Sequence, residues 1–259
     1  VDQELVEQAY TDPAAFAGEA VNVRGLDALE YLLFYDGVEN ACEPARSING
    51  DGSWLAIDEA ELNTRRAAYA ATVAADVKTH ADALVSAWAD FESNLGTAGN
   101  GSEVYPSTHE ALNAVSDAAF YVESEVKDMK LGEPAGLVNC VEAVCPAQRE
   151  FRWTPHNFDA IAANLDGFER LFTGGDGLGF DDLLADAGQQ GLATQIEGFI
   201  DEAQVKADVD VDMAVALEED ATPVRESHAA VKALTDVLKT QFISVLDLEL
   251  PDRAEGDND

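Results

Sequence analysis

The sequence predicts an all-α protein whose helices fall into two groups. Three observations carry this. Apolar residues recur at steps of three and four along most of the chain, and no stretch alternates apolar and polar residues as a half-buried strand would. A run of small and polar residues from Gly96 to Pro106 separates the helical patterns into two sets. We therefore expect an N-terminal helical domain over residues 1–100 and a C-terminal one over 101–259. With 259 residues and 47% hydrophobic content, the chain can bury a substantial core.

Each element has its own signals. Asp12-Pro13 has the form of a helix start, with Asp12 as N-cap and Pro13 in the first turn, and that helix should run to about Tyr35. The turn-rich Asn49-Gly-Asp-Gly52 follows. A long helix begins near Asp58, and its positions Ala70, Val73, Val77, Ala81, Leu84, Trp88, Phe91 and Leu95 trace one seam of a bundle. Beyond the linker, Ser107 or Thr108 can cap a third helix with core face Leu112, Val115, Ala119, Val122, Val126 and Met129, ending at Leu131-Gly132. A loop then runs to about Pro155. Phe158, Ile161, Leu165, Phe168 and Phe172 define a helix that stops at Gly174-Gly175. A short segment from Phe180 and a helix around Leu192 to Ala203 come next. The last helix follows Pro223 and presents Val224, Val231, Leu234, Leu238, Phe242 and Val245; the polar tail from Pro251 to Asp259 should be loose.

Charge narrows the choice of partners. There are 51 acidic residues against 15 basic ones, a formal charge of −36. Nucleic acid is excluded, because phosphate binding requires a basic face, and anionic membrane surfaces are disfavoured. Cations are the natural partners of such a field, although a solvated acidic surface explains the charge without any site. No apolar run approaches the roughly 20 residues that span a bilayer. There is no transmembrane segment and no signal sequence, and any export signal would lie upstream of Val1. Of the three cysteines, Cys140 and Cys145 are five apart in Asn139-Cys-Val-Glu-Ala-Val-Cys-Pro146, where a small disulfide loop can close and would suit an oxidising compartment. Cys42 is then left over, either free or paired upstream. A zinc site is the weaker alternative, since no Cys-x-x-Cys pair completes it.

The segment Val21-Asn-Val-Arg-Gly-Leu-Asp-Ala-Leu-Glu-Tyr-Leu-Leu-Phe34 resembles the signature helix of the imelysin family, the insulin-cleaving metallopeptidase-like proteins, whose motif there is Gly-x-His-x-x-Glu. Asp128-Met-Lys-Leu-Gly-Glu-Pro134 resembles the family's Asp-x-Lys-Leu-x-x-Pro stretch. Glu150-Phe-Arg-Trp153, followed by Ile161-Ala-Ala-Asn164-Leu165, resembles its Glu-x-Arg-Ser region and the Ile-x-x-Asn-Leu helix after it. The matches run from about residue 12 to 175. The resemblance implies two antiparallel helical bundles packed against each other, with the motif helix near their junction. It also implies a periplasmic or outer-membrane-attached location, and further helical sequence before the motif.

One departure matters. Gly25 and Glu30 match the motif, but Asp27 stands where it has histidine. Residues 27 and 30 leave the same helix face, and a carboxylate pair there can hold a hard cation. Exchanging imidazole for carboxylate shifts preference from zinc toward oxygen-seeking ions such as calcium or iron. The candidate metal ligands are Asp27 and Glu30, with Glu150 and His156 closing the site and Arg152 neutralising it or binding an anionic ligand. The plain alternative pairs Asp27 and Glu30 with Arg24 or Arg152, makes Gly25 a close-packing residue, and leaves Tyr31 and Phe34 in the core. His80, His109 and His228 read as structural or exposed. Asp208-Val-Asp-Val-Asp212 with Glu219 approximates a calcium loop, but Met213 occupies the position that demands glycine, so an acidic loop is the better reading. Asp176 to Asp182 reads as turn chemistry. No His-Glu-x-x-His, Gly-x-Ser-x-Gly or phosphate loop is present. The expected function is therefore a non-catalytic periplasmic protein of iron or other metal uptake, with a metal ion or small ligand in the inter-bundle cleft. A metal-dependent peptidase and a cleft-based scaffold for a polymer or partner protein are the alternatives.

Overall fold

In a computed structural model that describes residues 3–9, 16, 18–37, 42, 46–50, 52 and 54–254, every regular element is helical, and no strand occurs among the described residues. The all-α expectation holds. Contacts divide the chain into two compact units: Val1–Phe91 with Phe151–Thr154, and Glu92–Glu150 with Pro155–Asp259. The sequence had suggested a boundary at residue 100. No helix among the described residues is long and apolar enough to cross a membrane.

The first unit contains helices α1 (Gln3–Ala9), α2 (Val21–Arg24), α3 (Leu26–Phe34) and most of α4 (Glu59–Gly96). The single helix expected up to Tyr35 is broken at Gly25, which ends α2 and begins α3; Asp12 and Pro13 lie outside the described residues. Helix α4 starts where expected, with Asp58 accepting a hydrogen bond from the Glu61 amide at 2.9 Å. Val6, Val23, Ala28, Tyr31 and Leu32 pack on Tyr69, Ala70 and Val73 of α4. Val77 still packs against this core, but the seam beyond it leaves the core. Leu84 is 64% and Trp88 56% exposed, and Ala81 and Phe91 are exposed as well. Length explains this: 38 residues span about 57 Å at 1.5 Å per residue, whereas the nine-residue α3 covers only about 13 Å of it. Phe34 is also exposed, against expectation, while Tyr31 is fully buried.

The second unit is built from α5 (Thr108–Ala119), a π-helical segment Val122–Gly132, α6 (Asn157–Thr173), α7 (Phe180–Asp186), α8 (Gln190–Ala207), α9 (Met213–Glu219) and α10 (Thr222–Val237). A second π segment, Leu238–Phe242, and the short α11 (Ile243–Val245) follow. Ser107 caps α5, accepting from the Glu110 amide at 3.1 Å. The five predicted core residues of α6 are all buried, and α6 ends on Gly174, whose φ of 69° favours glycine. Met129 is 55% exposed, and Leu131 and Lys127 are buried instead. Bonding from i to i+5 lengthens each turn, so the inward face moves away from the α-helical register. Residues 208–212 form the expected acidic loop between α8 and α9, and Asp212 at its end caps α9, accepting from the Ala214 amide at 2.8 Å. Pro251 and Ala254 are buried, so the tail is anchored through Asp252–Ala254.

Each unit buries charge. In the first, the Glu7 carboxylate accepts from Arg66 at 2.7 and 2.9 Å and from the Tyr31 hydroxyl at 2.6 Å. In the second, Glu123 accepts from Lys127 at 3.1 Å and from Lys239, and Lys127 also lies 3.3 Å from Asp128. Glu7→Ala leaves Arg66 buried without its carboxylate, and should destabilise the intact protein by about 3–5 kcal/mol in urea denaturation. Burial also pushes the Tyr69 and Tyr121 hydroxyls up to about 12. Tyr69 and Tyr121 should therefore ionise above the ordinary tyrosine range in an ultraviolet titration. Because the folded state holds these protons more tightly, their contribution to stability is present below pH 10 and is lost as the pH rises toward 12.

Candidate functional site

The motif helix α3 is shaped by Gly25. Its amide donates to the Val21 carbonyl at 2.7 Å, and a β-carbon there would lie 2.8 Å from that oxygen. Glycine thus permits the tight join between α2 and α3, and the close approach is to its own preceding turn. Asp27 is exposed in the first turn of α3, where a carboxylate complements the helix dipole. Glu30, one turn on, is half-buried. Its Oε1 accepts from the Trp153 amide at 2.9 Å and from the Thr154 hydroxyl at 3.1 Å, across more than 120 residues of sequence.

Around this anchor lies an aromatic cluster. The Tyr31 and Tyr35 rings stack at 5.2 Å, and Trp153 lies 5.7 and 5.4 Å from them. The Arg66 guanidinium sits 5.2 Å from the Tyr35 ring centre, bonded at the same time to Glu7 and to the Gly37 carbonyl. Arg152 lies 4.5 Å from the centre of the Trp153 ring. The motif glutamate therefore fixes a four-residue segment, Phe151–Thr154, whose tryptophan completes the core of the first unit.

The remaining predicted ligands have their own partners. Glu150 pairs with Lys130 at 2.9 Å, and Lys130 also donates to the Asn164 side chain at 2.6 Å. Lys130, Glu150 and Asn164 come from three separate segments singled out in the sequence, and the fold joins them into one structural network. The Tyr121 hydroxyl extends it by donating to the Asn164 carbonyl. His156 is exposed at the start of α6 and meets Asp159 at 2.7 Å. Arg24 pairs with Asp76 at 4.0 Å, and His80 is 3.6 Å from the same carboxylate. Among the described residues, no group of three or more His, Cys, Asp and Glu side chains is placed to hold a metal ion.

Sequence reasoning missed Glu7, Arg66, Glu123, Lys127 and Lys239. Arg66 carried a signal, since it lies one turn after Leu62 and one turn before Ala70 and Tyr69 on the buried face of α4. Glu123 and Lys127 carried the i,i+4 pairing of opposite charges, but only the π-helical register turns both inward.

Removing the Glu30 side chain should release Phe151–Thr154. Glu30→Ala should cost about 1–3 kcal/mol in chemical denaturation, with a change in tryptophan fluorescence, whereas Glu30→Gln keeps an acceptor oxygen and should lose about 1 kcal/mol or less. No curated protein and no solved structure matches the chain with significance. The imelysin family model matches residues 1–241, and the chain belongs to the imelysin family.

Proposed function

We propose that the chain is a non-catalytic imelysin-family protein of an oxidising, extracytoplasmic compartment, working in the handling of iron or another hard cation by binding rather than turnover. The observation that carries the non-catalytic part is the engagement of Glu30. A carboxylate oxygen that accepts from an amide and a hydroxyl at once serves to position a segment, and is poorly placed to act as a base. The Cys140–Cys145 disulfide supports the compartment. The cation contact rests on Asp27 with the second oxygen of Glu30, which takes no hydrogen bond among the described residues. Two carboxylates and solvent suit ions that prefer oxygen, and give the weak affinity of open sites.

Titration calorimetry of metal-stripped protein with calcium, zinc and a soluble ferric chelate tests this. The expected result is binding of calcium or the ferric ion with a Kd of about 0.1–1 mM, no tighter for zinc and abolished in Asp27→Asn/Glu30→Gln. A flat trace with all three ions removes the metal role. Chelator-sensitive digestion of a peptide substrate that disappears in Glu30→Gln would instead establish a peptidase.

A further inference from the structure

The second unit carries an apolar pocket of about 340 Å³, lined by Leu112 and Val115 of α5, Leu171 of α6, and Phe180 and Leu183 of α7. Leu178, on the turn between α6 and α7, stands at its mouth with 85% of its surface exposed. The volume is in the range of small-molecule pockets. Its lining is unusual for this protein. Although 51 of 259 residues are acidic, no carboxylate lines the pocket, and its charged side chain is an arginine, Arg170.

Arg170 is exposed and makes no ion pair or hydrogen bond among the described residues. Its failure to pair is not for want of acids. Asp166, one turn earlier on α6, and the adjacent Glu169 both accept from the Gln204 side chain, at 3.0 and 2.8 Å. The two nearest carboxylates in sequence are thus directed to α8, and the guanidinium is left at the edge of the apolar cavity. Such a fork recognises a carboxylate by paired hydrogen bonds, while the leucines and Phe180 can cover an aliphatic body.

We propose that this pocket binds a small amphiphilic carboxylate, a medium-chain fatty acid, with its tail among Leu112, Val115, Leu171 and Leu183 and its head on Arg170. The overall negative field opposes any anion at long range, but screening at physiological salt confines that field to about 8 Å, and the charged side chain that lines the pocket itself is Arg170.

Calorimetric titration of the intact protein with octanoate, hexanoate and 1-octanol tests the proposal. Octanoate should bind, hexanoate roughly fifteenfold more weakly because it lacks two methylenes, each contributing about fourfold, and 1-octanol at least tenfold more weakly because it lacks the carboxylate. Arg170→Gln should reduce octanoate to the level of 1-octanol, and Leu178→Asp should weaken both. Both side chains are exposed, so an unchanged melting temperature verifies the fold. No octanoate binding, equal affinity for octanoate and 1-octanol, or unchanged binding by Arg170→Gln each overturns the proposal. So does binding of an apolar peptide with a free C-terminal carboxylate where octanoate fails, which would make the occupant a protein segment.

Discussion

Cations are the scarce component of a chain with a formal charge of −36, and the fold is organised around where they go. A carboxylate leaves water only at a cost of several kcal/mol unless a positive partner accompanies it. The two most deeply buried carboxylates obey this. Glu7 sits on Arg66, and Glu123 sits on Lys127 and Lys239. Lys130 serves the boundary of the second core by joining Glu150 to Asn164. Arg225 is used without a carboxylate, donating to the carbonyls of Ala135 and Ala143 and fastening the loop that contains the disulfide. Against this pattern of commitment, an arginine beside an apolar cavity is conspicuous.

The π-helical segments follow from the same constraint. An α-helical register over Val122–Gly132 would place Val122, Val126 and Met129 on the core and leave Glu123 and Lys127 toward the flank. The wider turn brings Glu123, Lys127 and Leu131 fully inside with the valines. A second π segment, Leu238–Phe242, supplies Lys239 to the same carboxylate. Two departures from regular helix thus meet at one buried cluster of opposite charges. Removing one partner would leave an uncompensated charge buried between the two segments, which is strongly destabilising.

What could be read from the sequence was what local chemistry decides. The Ser107 cap, the α6 core and its stop at Gly174, and the small disulfide loop each depend on residues within a turn or two of one another. What could not be read depends on what lies opposite. The seam of α4 keeps its spacing through Phe91, yet only its first half meets α1 to α3, because spacing reports a face and not the length of its partner. The bond from Glu30 to Trp153 and Thr154 was invisible for the same reason. Helix face and aromatic segment were both recognisable, but nothing local states that one carboxylate would accept from the other's backbone.

That bond also separates the two halves of the motif. Glu30 is required wherever Phe151–Thr154 must be held, because only an acceptor at that height on α3 meets the Trp153 amide. Position 27 carries no such demand: its side chain is exposed at the first turn of the helix, where aspartate is favourable on helix-dipole grounds alone. A chain can therefore exchange the motif histidine for aspartate, losing the nitrogen donor, and still keep the glycine and the glutamate for structural reasons. Gly25 and the engaged oxygen of Glu30 thus report the fold, and the chemistry at the surface of α3 falls to Asp27 with the second Glu30 oxygen.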